Sequence, residues 1–362
     1  MRFPEFKGGW SNLSIEDVAE VIGGGTPDTR KPDFWDGKIQ WFTPTEVGKQ
    51  KYVISSKRTI TELGLSSSSA KLLPKGSILL ATRATIGPAS ISMDSNGVTT
   101  NQGFQSLVPK DIEDNEFLFY AIERPEIQKE MNRRSSGSTF NEISHSQVSS
   151  IQIGWPSKKE RQIISTFLAI IDRRIVVQRK TIEELESLKD VLVRKTTSED
   201  MKLGDLCQAF SSSFKESEVC FEGKYPVYGA NGLVGFCNSY QFSNSGVAII
   251  KDGASVGKCF LIPDPRYSVL GTMTLLLPRE STSPTYLYYV LHRINYSQYT
   301  VGSGIPHIYF KDYSLARIPK ENSYTLSLAA CYFRICQKQE TVEKERIEIN
   351  KLKDYLLSSL LI

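Results

Sequence analysis

The sequence predicts an α+β protein. Two globular domains of mixed α/β character stand in pseudo-two-fold repeat, separated by two long α-helices that form an antiparallel coiled coil. Three observations predict it: an internal duplication, two long segments without Gly or Pro, and β-rich runs punctuated by turn residues on either side of them. The implied boundaries are 1–156 for the first domain, 157–199 for the first helix, 200–319 for the second domain and 320–362 for the second helix.

The duplication comes first because it organises the rest. Leu188-Lys189-Asp190-Val191-Leu192 returns as Leu352-Lys353-Asp354-Tyr355-Leu356. Trp155-Pro156 parallels Ile318-Pro319, and Gly137-Ser138 parallels Gly302-Ser303. The run from Ile78 to Gly87 parallels that from Ala248 to Gly257. Each has an apolar strand, a polar or basic turn, a small hydroxyl residue, an aliphatic and a Gly. Several pairs in one order at a near-constant offset indicate one architecture copied and then changed. The first copy is the longer, with the extra residues expected early in it.

The helices come next. Ser157–Thr197 and Lys320–Ile362 lack Gly and Pro, and about 40 residues of helix extend roughly 60 Å. In the first, Ile164, Leu168, Ile171, Ile175, Gln178, Ile182, Leu185, Leu188 and Leu192 recur at steps of three and four. In the second, Leu328, Tyr332, Ile335, Gln339, Val342, Ile349, Leu352, Leu356 and Leu360 do the same. Neither stripe stabilises so long a helix alone in water, so the two are expected to pair. The alternative is that each docks separately on its own domain. Gln178 and Gln339 inside the stripes suit a seam that trades stability for register. Pro156 and Pro319 stand where proline is tolerated, just before each helix.

Within the domains, Asn231-Gly232 between apolar runs predicts a hairpin, both residues accepting positive φ. Helices are expected at Asn115–Glu123 and Pro284–Arg293.

Composition bounds the function. The chain has 362 residues, with 40% hydrophobic and 23% charged, ordinary for folded protein. A net charge of +4 permits a nucleic-acid partner without announcing one. No run of about 18 apolar residues is present, so no membrane partner is expected and the cytoplasm is the expected compartment. The six cysteines form no CxxC pair and read as reduced, mostly buried thiols.

Catalytic signatures are missing. Gly253-Ala254-Ser255-Val256-Gly257-Lys258-Cys259 superficially resembles a phosphate loop, but the glycines are too close and Cys259 replaces the Mg-binding hydroxyl. Gly23-Gly24-Gly25 runs into Thr26-Pro27 and reads as a turn. His145, His292 and His307 show no metal spacing. No catalytic residue and no metal ligand is therefore assigned. His145 and His307 fall in similar places in the two copies, where a phosphate contact and a structural role both remain open.

The best nucleic-acid contacts are the paired turns. Arg83 and Thr85 match Asp252 and Ser255, with Lys251 and Lys258 alongside. Gly-containing turns let backbone N–H groups approach phosphate, while Arg or Lys reaches base edges. Arg133-Arg134 and Arg30-Lys31 are further basic pairs, equally readable as solvated charge. The aromatics within Trp35–Arg58 and Phe236–Phe242 read either as recognition loops or as local core.

Several stretches carry a family resemblance. Trp10-Ser11-Asn12-Leu13-Ser14-Ile15-Glu16-Asp17-Val18 looks like the start of a target recognition domain. So do Gly25-Thr26-Pro27 and the run from Phe34 to Trp41. Tyr225-Pro226-Val227-Tyr228-Gly229-Ala230-Asn231-Gly232 is similar to a motif of second recognition domains. The run from Trp155 to Ile164 resembles the join to a spacer helix; Glu160-Arg161-Gln162 departs slightly from the usual Glu-Gln, and Ile318-Pro319-Lys320-Glu321-Asn322 departs more. Over essentially the whole chain, the sequence resembles the specificity (S) subunit of a type I restriction-modification complex. The resemblance implies a non-catalytic, sequence-specific binder of double-stranded DNA with one half-site per domain. It also implies two methyltransferase (M) subunits acting on adenine N6 and a restriction (R) motor-nuclease subunit. S-adenosylmethionine, ATP and Mg are then expected only on those partners, and the helices set the gap between half-sites. The alternative is a non-catalytic coiled-coil scaffold with two non-DNA binding modules.

Overall fold

In the computed structural model, residues 2–135, 141–195, 201–262 and 266–361 are described. Gly137-Ser138 and Thr197, used above, lie outside them. The chain forms two compact units, Met1–Val177 with Arg346–Ile362, and Gln178–Glu345. Each unit combines a head with segments of both long helices.

In the first unit the order is β1 (Ser11–Ser14), α1 (Ile15–Val18), β2 (Ala19–Gly23), β3 (Trp35–Phe42), β4 (Tyr52–Val53), β5 (Arg58–Ile60), α2 (Glu62–Ser66), β6 (Ile78–Arg83), β7 (Thr85–Ser92), β8 (Val98–Thr100), β9 (Gln105–Pro109), α3 (Asn115–Glu123), α4 (Pro125–Arg134), α5 (His145–Ser149), β10 (Gln152–Trp155) and α6 (Lys158–Arg194). The main sheet runs β2-β9-β6-β7-β4. Its centre is β6, whose Ile78, Leu79, Leu80 and Ala81 are all fully buried, as a strand covered on both faces requires. A second sheet runs β5-β3-β8, and β1 pairs with β10.

The second unit repeats this plan. It holds β11 (Met201–Lys202), α7 (Leu203–Leu206), β12 (Cys207–Ser211), β13 (Tyr225–Gly229), β14 (Gly232–Cys237), β15 (Gly246–Ile250), β16 (Cys259–Ile262), β17 (Ser268–Val269), β18 (Met273–Pro278), α8 (Pro284–Leu291), α9 (Phe310–Tyr313), β19 (Arg317–Ile318) and α10 (Ser323–Leu360). Its main sheet is β12-β18-β15-β16, its second sheet β14-β13-β17, and β11 pairs with β19. Each sheet of the second unit has its counterpart in the first, strand for strand, with β4 as the first unit's addition. In both second sheets the middle strand has one antiparallel and one parallel neighbour. The first unit's extra length falls mainly between β2 and β6, early in the copy.

Two details differ from the sequence expectation. The hairpin β13–β14 forms, but Gly229 pairs with Gly232, leaving Ala230-Asn231 as the loop, and Gly232 alone takes positive φ. Among the cysteines, Cys207, Cys237 and Cys259 are buried, whereas Cys220 and Cys331 are exposed.

The helices seat on the heads through polar joins. Arg161 makes a bidentate pair with Asp114, both arms at 2.7 Å, and lies over the Trp155 ring at 4.6 Å. Glu160, 1% exposed, accepts from Arg2 at 2.7 Å and from Trp10. The departure at 160–162 is thus an ion-paired seat. The second join uses a cap instead. Asn322 Oδ1 accepts from Thr325 N at 2.9 Å while Thr325 Oγ1 accepts from Asn322 N at 2.8 Å, and the helix begins at Ser323.

Most of the apolar stripe is buried or half-buried. Ile164, Leu168 and Ile171 share one core with Leu356 and Leu360, and Ile175 and Ile349 pack against it. In the second unit Leu328 and Tyr332 join the head core, with Leu192 packed on it. Val342 is buried, and Ile182, Leu185 and Ile335 are half-buried. There Gln178 donates to Glu345 and Gln339 to Glu186, both at 3.2 Å, so the segments run antiparallel. Leu188 and Leu352 are corrections: they are 50% and 47% exposed. At 3.6 residues per turn the inward position drifts past a three-step spacing, so Lys189 and Lys353 turn inward instead.

Candidate nucleic-acid interface

The paired turns occupy equivalent places in the two heads. In the first, β6 passes into β7 through Ala84 at φ +63°, a conformation non-glycine residues rarely take. The segment 141–143 bridges this turn: Ala84 N–H donates to Asn141 O at 3.0 Å, and Ile143 N–H to Thr82 O at 3.0 Å. In the second, Gly253 takes φ +95°. Its N–H donates to Pro306 O at 2.9 Å, and Ile308 N–H donates to Lys251 O at 3.0 Å. The amides of both left-handed residues are therefore committed within the chain.

At the centre of each bridge an acidic side chain meets a basic one. Arg83 and Glu142 oppose one another, Arg83 Nε lying 3.4 Å from Glu142 Oε2. Asp252 and His307 oppose one another in the same way, His307 Nδ1 against Asp252 Oδ1. The basic side chain sits on the turn strand in the first head and on the opposing segment in the second. His145 is not the counterpart of His307: it stands at the start of α5, its Nε2 3.0 Å from Val21 O. The counterpart is Glu142, which its residue type concealed.

The other sequence candidates are placed as follows. Thr85 and Ser255 are exposed, Lys251 is half-buried, and Lys258 is exposed over the Phe260 ring at 5.1 Å. Arg134 is largely structural, donating to Glu130 at 2.7 Å, to Gln147 O at 2.9 Å and to Ser150 Oγ at 2.8 Å. Arg133 also pairs with Glu130, whose carboxyl is held below its ordinary value first by the Arg134 hydrogen bond. Helix α4 lies beside the first turn, since Gln128 Nε2 reaches Gly87 O at 3.3 Å. Arg30 chelates Asp28 at 3.0 and 3.1 Å and holds that carboxyl down to about 2. Lys31 lies over Phe34 at 5.0 Å.

The ambiguous aromatic segments resolve into core with a polar edge. Trp35 and Trp41 are 6% and 5% exposed and meet edge to face at 5.1 Å. Exposed Arg58 stacks 3.6 Å from the Trp35 ring centre, a cation that its single position in a short strand did not announce. In the second head, half-exposed Tyr240 meets Tyr225 at 4.9 Å, with Arg266 over its ring at 5.4 Å.

The two most buried thiols of the second head's core are poor nucleophiles. Burial pushes Cys207 and Cys259 up to about 12, and Cys259 donates to Gly257 O. Among the described residues no group of three or more His, Cys, Asp or Glu is placed to hold a metal ion, and no helix is long and apolar enough to cross a membrane.

Comparison with known proteins bears directly on this arrangement. The family described as type I restriction modification DNA specificity domain matches residues 7–187 and again 195–320. The MjaIX specificity subunit of Methanocaldococcus jannaschii is 38% identical over 181 residues, covering 49% of this chain and 41% of that protein. The HindI specificity subunit of Haemophilus influenzae is 26% identical over 186 residues, covering 50% and 40%. The chain thus spans about two fifths of the length of these relatives. The EcoprrI specificity subunit of Escherichia coli is 24% identical over 327 residues, covering 81% and 79%. In fold, the chain is similar to the type I restriction-modification S subunit from M. genitalium, with TM-score 0.74 at 19% identity over 100% of this chain and 99% of that one. A chain from work on complex assembly and conformational transition of the type I R-M system gives TM-score 0.52 at 17% identity, covering 98% and 97%. With both halves matched by one family and the fold repeated strand for strand, the chain belongs to the type I restriction-modification DNA specificity family.

Proposed function

We propose that the protein is the sequence-reading subunit of a type I restriction-modification complex and binds a bipartite double-stranded DNA target, one half-site per head. The observation that carries this reading is the duplicated strand–turn bridge, exposed in the first head and partly exposed in the second, and flanked by Arg83, Lys251 and Lys258. Side chains on such a turn supply phosphate and base-edge contacts. Two related but divergent turns suit two different half-sites.

The two long helices set the gap between the half-sites as a paired antiparallel coiled coil and dock two methyltransferase subunits, with a restriction subunit joining them. Two equivalent apolar pairs support the docking: Leu188 with Val191, and Leu352 with Tyr355, all about half exposed. A repeated outward patch suits two copies of one partner. Adenine-N6 methylation, S-adenosylmethionine, ATP and Mg then belong to the partners, and the complex works in the cytoplasm.

The test is selection from random-sequence duplex DNA, with and without a cognate methyltransferase subunit, followed by methylation of the selected site. A bipartite consensus is expected. Arg83→Ala weakens recognition at one half-site by about 1–3 kcal/mol, and lengthening the helices changes the gap. An assembled complex that selects no DNA would leave the alternative, a scaffold with two non-DNA modules.

A further inference from the structure

The two acid–base pairs at the turns share a position but not a polarity. In each head the bridge joins one acidic and one basic side chain across the same backbone hydrogen bonds. Arg83 and Glu142 are 48% and 45% exposed; His307 and Asp252 are 25% and 32% exposed. We infer that each carboxylate orients a nitrogen-bearing side chain for DNA, so that His307, held by Asp252, is the second head's specificity-determining counterpart of Arg83, held by Glu142. This rests on the DNA-reading role proposed above.

The chemistry follows from donor inventories. A guanidinium carries five N–H donors, more than one carboxylate can use, so Arg83 keeps donors for phosphate or a guanine edge. Imidazole has two nitrogens on opposite sides of the ring. With Nδ1 on Asp252, Nε2 is the nitrogen left for an outside partner. The second head therefore presents one imidazole nitrogen where the first presents the several donors of a guanidinium.

Asp252 faces the ring directly, the Tyr309 ring packs against it at 4.2 Å, and Lys311 lies over Tyr309 at 5.4 Å. Lys251 and Lys258, on the same turn, are basic. Asp252 is thus the carboxylate that orients the imidazole, as Glu142 orients Arg83, and the lysines enrich the same surface in positive charge.

The experiment measures half-site preference of the full chain with its methyltransferase partner on duplex libraries randomised at one half-site at a time. His307→Ala loses about tenfold at the second half-site alone, the scale of one hydrogen-bonded contact, and His307→Lys, which keeps a donor, loses less. Glu142→Gln alters only the first. A His307→Ala half-site profile that matches the wild type overturns the inference while leaving DNA recognition intact. A wild-type complex that selects no sequence overturns the DNA reading itself and this inference with it.

Discussion

The two head–helix junctions solve one packing problem with different chemistry. In the first unit, Lys353 reaches Asp172 at 2.9 Å and Glu123 at 3.0 Å, and Tyr120 donates to Asp172 at 2.6 Å. Lys51 closes the network on Glu116 and on Tyr120 Oη at 2.7 Å. In the second unit the corresponding place is aromatic: Tyr288, His292, Tyr332 and Phe333 pack together, with Cys336 beside them. Tyr289 donates to Leu192 O at 2.9 Å. The duplicated Leu-Lys-Asp motif thus enters a charged junction at Lys353 and an aromatic one at Lys189. Burial works to lower the Lys353 ammonium, but Glu123 and Asp172 outweigh it and the net shift is upward. Burial lowers His292, with Lys189 adding to the effect. A repeat conserves the backbone plan while its two interiors choose independent ways to satisfy it.

That contrast can be broken at its strongest point first. Lys353→Ala leaves Glu123 without its cation and Asp172 with only Lys51, 3.7 Å away, and Tyr120, and is expected to cost the first unit about 3 kcal/mol. Lys189→Ala in the second is expected to cost under about 1 kcal/mol. Denaturant unfolding read by hydrogen exchange in each unit measures both, and equal losses would remove the distinction. Leu168→Ala, in the fully buried seam, is expected to cost about 3 kcal/mol. Leu188→Ala, on the outer face, is expected to stay within about 1 kcal/mol, which sharpens the phase of the seam by the same measurement. Tyr289→Phe removes one hydrogen bond from the aromatic junction and is expected to destabilise the second unit by about 1 kcal/mol.

The smallest effect separates the junctions by pH. A histidine whose folded value is depressed contributes stability that is complete above its ordinary value near 6.5 and is lost as pH falls below it. Acidification from about pH 7.5 to about pH 5.5 therefore lowers the melting temperature of the second unit, by about 1–2 °C, and His292→Gln abolishes the difference. Lys353 is raised, so its contribution is full at these pH values and is lost only in strong alkali. An unchanged acid response in His292→Gln would assign the effect to other groups.

What the sequence determined by itself was the plan. The repeated motifs, the Gly- and Pro-free segments and their 3–4 periodicity made legible two heads, two helices and an inward stripe around Leu168 and Leu356, because period and breaker placement are local properties of a chain. The turns at Arg83 and Asp252 were legible for the same reason. Tertiary structure decided which partner each residue met. It turned Leu188 and Leu352 outward and Lys353 inward, tied Arg134 to the frame, and committed the Ala84 and Gly253 amides. It also set His307 against Asp252, 55 residues apart. Such pairings depend on which distant segment arrives at a site, and spacing along the chain carries no record of that.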